Sequence, residues 1–328
     1  MTSRRTFLGV LSLGLLVSPL AAGAQQTGKP VRIGVLTAQS RATSTASWES
    51  FREGLRDLGW EDGRNLVIVE RFTDGDFDRL AVAADELVKL NVALIVTANS
   101  PGARAAISAT KTVPIVMVEV GDPVATGFVT NLARPGGNVT GISLMLLDLT
   151  QKRLAILKEA VPRATRIAVI MNPDDPIIPM QWREAGIAAG RLGVRLQRLD
   201  IRNVDDLRRA FEAAVKDKAD AVLRLADPLA GMLNAETVEL ATRHRLPTML
   251  RNRLEVEAGG LMSYYPNARD YYRQAASPVD KILRGAKPGD LPIEQPTRIE
   301  LVINLKTARA IGLTIPPSLL GRADVIIQ

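Results

Sequence analysis

The chain has 328 residues, a net charge of +7 at pH 7, one histidine and no cysteine. The absence of cysteine excludes disulfides, thiolate metal sites and cysteine nucleophiles, and the flanking Arg243 and Arg245 oppose protonation of His244. Basic residues are mixed with acidic ones and aromatic residues make up only 4%, so the composition does not indicate nucleic-acid binding.

The first predicted element is an export signal over residues 1–24. Arg4 and Arg5 precede the apolar run Phe7–Val17, and Ala22-Gly23-Ala24 follows, which is the order of a cleavable signal peptide. The paired arginines resemble a twin-arginine signal, but Gly9 stands where that signal often has lysine, so Sec export stays an equal alternative. No cysteine follows for lipid attachment. We therefore expect a free protein in the periplasm, cleaved near Ala24.

Strands and helices alternate from residue 31 onwards. Val31–Leu36 is a compact β-rich run typical of a buried parallel strand. Trp48, Phe51, Leu55 and Leu58 then fall on one face of a predicted helix. Further strands are predicted at 66–69, 92–97, 115–120 and 139–143, with helices at 80–90 and 103–109.

A second series of strands and helices follows. It has strands at 166–171, 194–199, 221–225, 247–250, 259–265 and 298–304 and helices at 181–192, 204–216, 235–244 and 268–283. Such alternation forms βαβ units and parallel sheets, and the length exceeds what one core usually supports. We predict an α/β fold of two Rossmann-like lobes joined by a hinge. Residues 31–142 plus about 263–287 form the N-terminal lobe, and 143–262 plus about 288–328 form the C-terminal lobe.

Four polar residues followed by proline come directly after predicted strands, two in each lobe: Ser100-Pro101, Asp122-Pro123, Asn172-Pro173 and Asp227-Pro228. Ser, Asn and Asp are preferred helix N-caps, and proline suits the first helical position. Ligands of doubly wound sheets bind outside the carboxyl ends of the strands. These steps are therefore either ligand contacts or ordinary helix caps. As ligand contacts, the aspartates would bind an ammonium group and the helix N-termini would bind a carboxylate.

Three more residues complete the predicted ligand site. Ser40 and Asn99 lie at neighbouring strand ends, and Tyr264 lies beside a predicted crossing between the lobes. Tyr265 faces the opposite side of the same strand, and either tyrosine is a candidate to cover an apolar ligand. The full predicted ligand-binding set is Ser40, Asn99, Ser100, Asp122, Asn172, Asp227 and Tyr264.

Several segments resemble a known family. They are residues 51–59 (FREGLRDLG), 120–124 (VGDPV), 132–141 (LARPGGNVTG), 301–308 (LVINLKTA) and 312–320 (GLTIPPSLL). They are similar in sequence and order to the substrate-binding proteins of ABC importers, in the family that includes tryptophan and tyrosine receptors. The resemblance implies a type I periplasmic-binding-protein fold, a ligand in the cleft between the lobes, an ABC permease as partner, and Asp122 as a site residue.

The function that these observations favour is capture of a small molecule for delivery to a permease, with an amino acid as the favoured ligand and an aromatic amino acid as a candidate. A receptor for a membrane sensor would share the same fold and is the alternative. An exported hydrolase is less favoured, because Gly-x-Ser-x-Gly and a second histidine are absent. We predict a monomer with no catalytic residue, no metal site, no cofactor and no nucleic-acid partner.

Overall fold

A computed structural model describes residues 29–328. The predicted export signal, residues 1–24, lies outside the described residues. None of the helices within 29–328 is long and apolar enough to span a membrane.

The first part of the described chain forms a parallel sheet with helices between its strands. Its elements are β1 (Val31–Thr37), α1 (Arg41–Asp57), β2 (Leu66–Phe72), α2 (Arg79–Lys89), β3 (Ile95–Ala98), α3 (Ser100–Ala109), β4 (Ile115–Val120) and β5 (Val139–Ser143). The strands lie in the order β2-β1-β3-β4-β5, and every neighbouring pair is parallel. All residues of β4 are buried, as expected for a strand covered on both faces.

The rest of the chain forms a second sheet and returns once to the first. Its elements are α4 (Leu146–Ala160), β6 (Arg166–Met171), α5 (Ile178–Leu192), β7 (Arg195–Asp200), α6 (Val204–Lys216), β8 (Ala221–Arg224), α7 (Pro228–Met232), α8 (Asn234–Arg243), β9 (Thr248–Leu250), α9 (Arg253–Glu257), β10 (Met262–Pro266), α10 (Ala268–Gln274), α11 (Ala276–Leu283), a 3₁₀ turn (Pro288–Asp290), β11 (Ile299–Asn304), α12 (Leu305–Ala310), α13 (Pro317–Leu320) and β12 (Val325–Ile327).

The second sheet has the order β12-β11-β10-β9-β8-β6-β7. Its neighbouring strands are parallel except for β10 and β11, which pair antiparallel because the chain returns from the other lobe between them. The prediction of an α/β fold with two parallel-sheet lobes is confirmed, with this antiparallel pair as an unpredicted exception. The part built on the first sheet is called the N-lobe here, and the part built on the second sheet the C-lobe.

The chain crosses between the lobes three times. It leaves the N-lobe after β5, returns to it after β10, and leaves again beyond Glu294, which still bridges to Ile142. Helices α10 and α11 belong to the N-lobe, because Tyr271 and Val279 lie in the same buried cluster as Trp48 of α1. The strand at 262–266 belongs to the C-lobe sheet. The boundaries near 263 and 288 stay predictions: β10 continues in the C-lobe sheet to Pro266, and the chain remains beside the N-lobe as far as Glu294.

The apolar face predicted for the first helix lies in the N-lobe core. Trp48, Phe51 and Leu55 of α1 are at most 2% exposed, and burying each side chain contributes about 1.5–3 kcal/mol. Leu58 was predicted on this face, but it caps the helix and is 37% exposed. The helix ends there because Gly59 adopts a left-handed conformation, with a φ of 89°.

One predicted helix, 268–283, is two helices in the structure. α10 ends at Gln274 and α11 begins at Ala276. Pro278 explains the break, because its ring would collide with the carbonyl of residue 274 in a continuous helix and it has no N–H to donate.

Candidate functional site

A small polar cavity lies between the two lobes at the carboxyl ends of their strands. The N-lobe contributes residues after β3 and near the end of β4, and the C-lobe contributes residues near β6, β8, β9 and β10. The lining residues are Asn99, Ser100, Glu119, Leu146, Asp175, Ile177, Ala226, Asp227, Pro228, Arg251 and Tyr265. The lobes approach so closely that the cavity measures only ≈ 10 Å³, which is about the space of one water molecule.

An ion pair crosses this cavity. Arg251 Nη1 of the C-lobe lies 2.9 Å from Glu119 Oε1 of the N-lobe, and their side chains are only 12% and 5% exposed. Arg251 Nε also donates to Glu255 Oε1 of its own lobe at 3.1 Å. Burial alone would lower the pKa of Arg251, but the carboxylates of Glu119 and Glu255 outweigh burial and raise it. Arg251 is therefore a permanent cation at the closed interface.

Two neutral groups of the N-lobe hold the Glu119 carboxylate. Gln39 Nε2 donates to Glu119 Oε2 at 2.6 Å, and the Tyr272 hydroxyl donates to the same oxygen at 3.0 Å. Burial raises the pKa of Tyr272 well above its ordinary value, so the hydroxyl keeps its proton and remains a donor. Within residues 29–328, Arg251 is the only ion-pair partner of Glu119. The N-lobe therefore presents one carboxylate with no cation of its own beside it.

Two further arginines are buried beneath the cavity in the C-lobe. Arg153 Nη2 donates to the carbonyls of Arg224 at 2.5 Å and Leu250 at 3.0 Å, and burial lowers its pKa to about 10. Arg224 Nη2 lies 3.9 Å from Asp227 Oδ1. This nitrogen has no hydrogen-bond acceptor in the part of the chain that the structure describes. Arg153 makes no ion pair within that part. These arginines make the C-lobe half of the site cationic.

Two aspartates of the C-lobe complete the charge distribution. Burial raises the pKa of Asp175 to about 8. The negative charges of Asp227 and Glu119 raise it as well, whereas the hydrogen bond from the N–H of Ile177 lowers it. Asp175 is therefore mostly protonated at neutral pH. Burial also raises the pKa of Asp227, against the opposing effect of Arg224. Because both pKa values are raised, neither aspartate neutralises the C-lobe arginines as fully as a permanently ionised carboxylate would.

Three of the predicted ligand residues line the cavity. Asn99 caps α3, because its Oδ1 accepts from the N–H of Gly102 at 3.0 Å. Ser100 Oγ accepts from the N–H of Gly121 at 3.4 Å. Asp227 caps α7, and its Oδ2 accepts from the N–H of Asn172 at 3.3 Å. Each has a structural hydrogen bond and also faces the cavity, so the two interpretations of these residues are compatible.

Three other predicted residues lie at strand ends but do not line the cavity. Ser40 caps α1, Asp122 Oδ1 accepts from the N–H groups of Val124 and Ala125, and Asn172 Oδ1 accepts from that of Asp174. Asp122-Pro123 and Asn172-Pro173 were candidates for helix caps, but both lead into turns. Ser100 was a candidate cap for α3, but the residue that caps this helix is its neighbour Asn99. Only Asp227-Pro228 starts a helix as predicted.

The alternation of the two tyrosines is as predicted, but Tyr265 is the one in the cavity. Tyr264 lies on the other face of β10, in a surface groove with Ile156 and Arg322. Burial raises the pKa of Tyr265 above its ordinary value, so its hydroxyl is neutral. Binding through Tyr264 therefore has no geometric support at this cavity.

Apart from Asp227, the charged residues of the cavity were not predicted from the sequence: they are Glu119, Asp175 and Arg251. Glu119 carries a usable signal, because it is the one charged residue in the apolar strand Ile115–Val120. A charge inside a buried strand requires a partner. Arg251 and Asp175 show no comparable signal, because they lie in segments rich in charge and proline. Within residues 29–328 no group of three or more His, Cys, Asp or Glu side chains could hold a metal ion.

Comparisons with known proteins agree with this architecture. The family model described as ABC transporter substrate binding protein matches residues 32–327. A tyrosine-binding protein of Clostridioides difficile (strain R20291) is 26% identical over 285 residues, which cover 87% of this chain and 82% of that protein. More distant solved structures, at 15% identity and TM-scores of 0.61 and 0.58, share the type I periplasmic-binding-protein fold.

Two solved relatives differ in how well they superpose. A domain from Streptococcus pneumonia in complex with L-Trp is 26% identical with a TM-score of 0.83, covering 91% of this chain and 100% of that one. A ligand-free, open substrate-binding protein from Clostridium difficile is 25% identical, covers 91% and 99%, and has a TM-score of only 0.65. In the present structure the two lobes contact each other across the cavity through the Glu119–Arg251 ion pair, and this arrangement is called closed here.

Proposed function

Because the chain belongs to the ABC transporter substrate-binding protein family, we propose that it captures a small molecule between its lobes and delivers it to an inner-membrane ABC permease. The observation that carries the proposal is the buried polar cavity lined by charged residues of both lobes. A ligand held there contacts two rigid bodies at once. Its binding free energy can therefore stabilise the closed arrangement.

An amino acid is the favoured ligand. The cavity contains a carboxylate from one lobe and a guanidinium from the other, which suit the ammonium and carboxylate groups of a zwitterion. The related proteins include a tyrosine-binding protein and a domain in complex with L-Trp. We propose on these grounds that an aromatic amino acid is among the ligands. Closure requires no covalent chemistry, so the proposal assigns no catalytic residue.

A thermal-shift screen tests the ligand class. The purified protein is unfolded and refolded to remove any bound metabolite, then scanned with the twenty amino acids, with sugars and polyols as controls. A ligand at 100 times its Kd adds about 2.7 kcal/mol and raises the Tm by several degrees. A shift with tyrosine or tryptophan supports the proposal. A shift only with sugars, or with nothing, would exclude an amino acid receptor.

The proposed site of action is the periplasm, where the protein acts as a soluble monomer after the export signal is removed. Cell fractionation tests this directly: the mature protein should appear in the periplasmic fraction, shortened to begin near Gln25. Replacing Arg4 and Arg5 together by lysine distinguishes the routes. Loss of export indicates the twin-arginine route, whereas unchanged export indicates Sec. Retention of wild-type precursor in the cytoplasm would contradict the proposal.

A further inference from the structure

We propose that Glu119 and Arg251 are the two groups that recognise the backbone of the amino acid ligand. Glu119 binds its α-ammonium group and Arg251 binds its α-carboxylate, and in the closed arrangement described here the two side chains pair with each other in the ligand's place. The proposal rests on the proposed function and adds to it the residues that select the ligand class.

The first step is the division of charge between the lobes. Glu119 lies on β4 of the N-lobe and Arg251 follows β9 of the C-lobe, so their 2.9 Å contact exists only while the lobes are closed. When the lobes separate, each charge faces the open cleft. The N-lobe then presents an anion and the C-lobe a cation, which are the two charges that a zwitterion can pair.

The orientation of Glu119 supports its role as the ammonium receptor. Gln39 and Tyr272 both donate to Oε2, so they fix the carboxylate and leave Oε1 directed towards the other lobe. Both donors are neutral and leave the negative charge of Glu119 uncompensated. A buried carboxylate of this kind requires a cation, and a ligand ammonium group supplies one.

Arg251 is fixed in a corresponding way. Glu255 accepts from Arg251 twice, with Oε1 bound to the side-chain Nε at 3.1 Å and Oε2 bound to the backbone N–H at 2.9 Å. This leaves Nη1 directed at the cavity. The buried arginines Arg153 and Arg224 lie beneath it. The C-lobe is therefore the lobe that an anionic group enters.

The balance of charge selects the ligand class. A zwitterion replaces one buried ion pair by two, and no charge is left without a partner. A neutral sugar or a simple carboxylic acid that separated the two side chains would leave Glu119 without a cation in a closed cleft, which is strongly unfavourable. A sugar or an amine would leave Arg251 with Glu255 as its only anion within residues 29–328 and its Nη1 without an acceptor. The cavity of ≈ 10 Å³ has no room for an amino acid beside the Glu119–Arg251 contact. The ligand must therefore separate the two side chains.

Calorimetry with L-tyrosine and two of its analogues tests the assignment. Tyramine lacks the carboxylate, and 3-(4-hydroxyphenyl)propionate lacks the ammonium group. Wild-type protein should bind each analogue about 100-fold more weakly than tyrosine or worse. If the thermal screen selects another amino acid, the amine and the acid with its side chain take these places. Equal affinity for the amino acid and either analogue would overturn the inference without any variant.

Two variants then assign each charge to its residue. Glu119→Gln should weaken tyrosine binding by about 30-fold or more, yet leave the affinity for the propionate nearly unchanged, because that analogue has no ammonium group to lose. Arg251→Met should show the opposite pattern, losing tyrosine and keeping tyramine. This crossed pattern cannot arise from a purely structural role, because loss of packing would weaken all three ligands together.

Matched controls come from exposed ion pairs. Glu86→Gln in the N-lobe and Arg208→Met in the C-lobe make the same chemical changes at pairs outside the cavity, and all three affinities should remain within about twofold. If wild type binds tyrosine but both cavity variants weaken every ligand equally, the inference fails and the proposed function stands. If wild type binds no amino acid, both fail.

Discussion

Replacing Gly121 by alanine should hold the two lobes apart. Gly121 directly follows β4 of the N-lobe, and a Cβ built on it would lie 2.8 Å from Ile177 Cγ1 and 3.0 Å from Leu146 Cδ1. Both neighbours line the cavity. Leu146 begins α4 beside the first crossing, and its N–H donates to Gly121 O at 3.0 Å, whereas Ile177 lies deeper in the C-lobe. The collision with Ile177, which is the closer of the two, therefore arises only when the cleft is closed.

The size of the effect follows from these distances. Carbon atoms in contact prefer a separation of about 3.5–4.0 Å, so the lobes or the two side chains must move by about 0.5–1 Å. Overpacking of this kind costs about 1–3 kcal/mol. The penalty applies to the closed form alone, so the apparent Kd for a ligand that requires closure should rise about 5- to 150-fold.

The assay combines two measurements. Calorimetry with L-tyrosine, or with the amino acid selected by the thermal screen, gives the Kd, and small-angle X-ray scattering shows whether the ligand still compacts the protein. Gly186→Ala is the matched control, because its Cβ would meet nothing within 4 Å and the residue is exposed on α5. This control should keep the wild-type Kd and gain up to about 1 kcal/mol of stability.

Unchanged affinity and unchanged compaction in Gly121→Ala would refute the reasoning. Such a result would mean that Ile177 and Leu146 move aside freely, or that the ligand-bound form does not bring Gly121 against the C-lobe. Loss of stability equal in the presence and absence of ligand would also refute it, because the predicted penalty belongs to closure and not to folding.

Three further predictions concern buried polar groups. Because the pKa of Asp175 rises from 3.8 to about 8 on folding, the folded protein keeps a proton that the unfolded chain releases, and stability falls as the pH rises from about 4 to 8. Asp175→Asn should remove up to about 5 kcal/mol of that fall. Identical urea-unfolding profiles of the wild-type protein at pH 5 and pH 8 would contradict this prediction. Arg153→Ala should cost about 3 kcal/mol or more in urea unfolding, because it removes the donor to two buried carbonyls and leaves a cavity. A loss below about 1 kcal/mol would be inconsistent with this reasoning. Asn99→Ala should lower the free energy of unfolding by about 2 kcal/mol, because it removes the cap of α3 and places alanine at a φ of 64°. Asn99→Gly should recover about half of that loss, because glycine adopts this φ without strain. Equal losses in the two variants would exclude backbone strain at this position.

Much of the fold could be predicted because buried parallel strands are continuous apolar runs. The predicted limits of the strands at 115–120, 139–143 and 166–171 are those of β4, β5 and β6. The pairing of β10 with β11 could not be predicted, since strand direction depends on the path of the chain through the other lobe. Helix α4 was missed because it follows β5 after only two residues, where the sequence analysis placed the change of lobe.

The candidate site could be predicted only in part, for a related reason. Asn99 and Asp227 were found because the rule of strand carboxyl ends selects residues that follow a strand. Glu119 lies inside a strand and escapes that rule. Arg251 and Glu255 are four residues apart, a spacing that usually indicates an exposed pair on a helix. Their burial depends on the other lobe, which no local pattern describes.

The closed arrangement itself limits what the ligand-bound form can look like. The Glu119–Arg251 contact occupies a cavity of ≈ 10 Å³, so a bound amino acid must displace these two side chains from each other. A buried ion pair roughly balances the cost of removing its charges from water, so closure without ligand gains little from this contact. A zwitterion replaces it with two contacts and thus favours closure by the difference. On the proposed function, the closed form is then more populated with ligand than without it, and a permease that recognises the closed form would meet mainly loaded receptor.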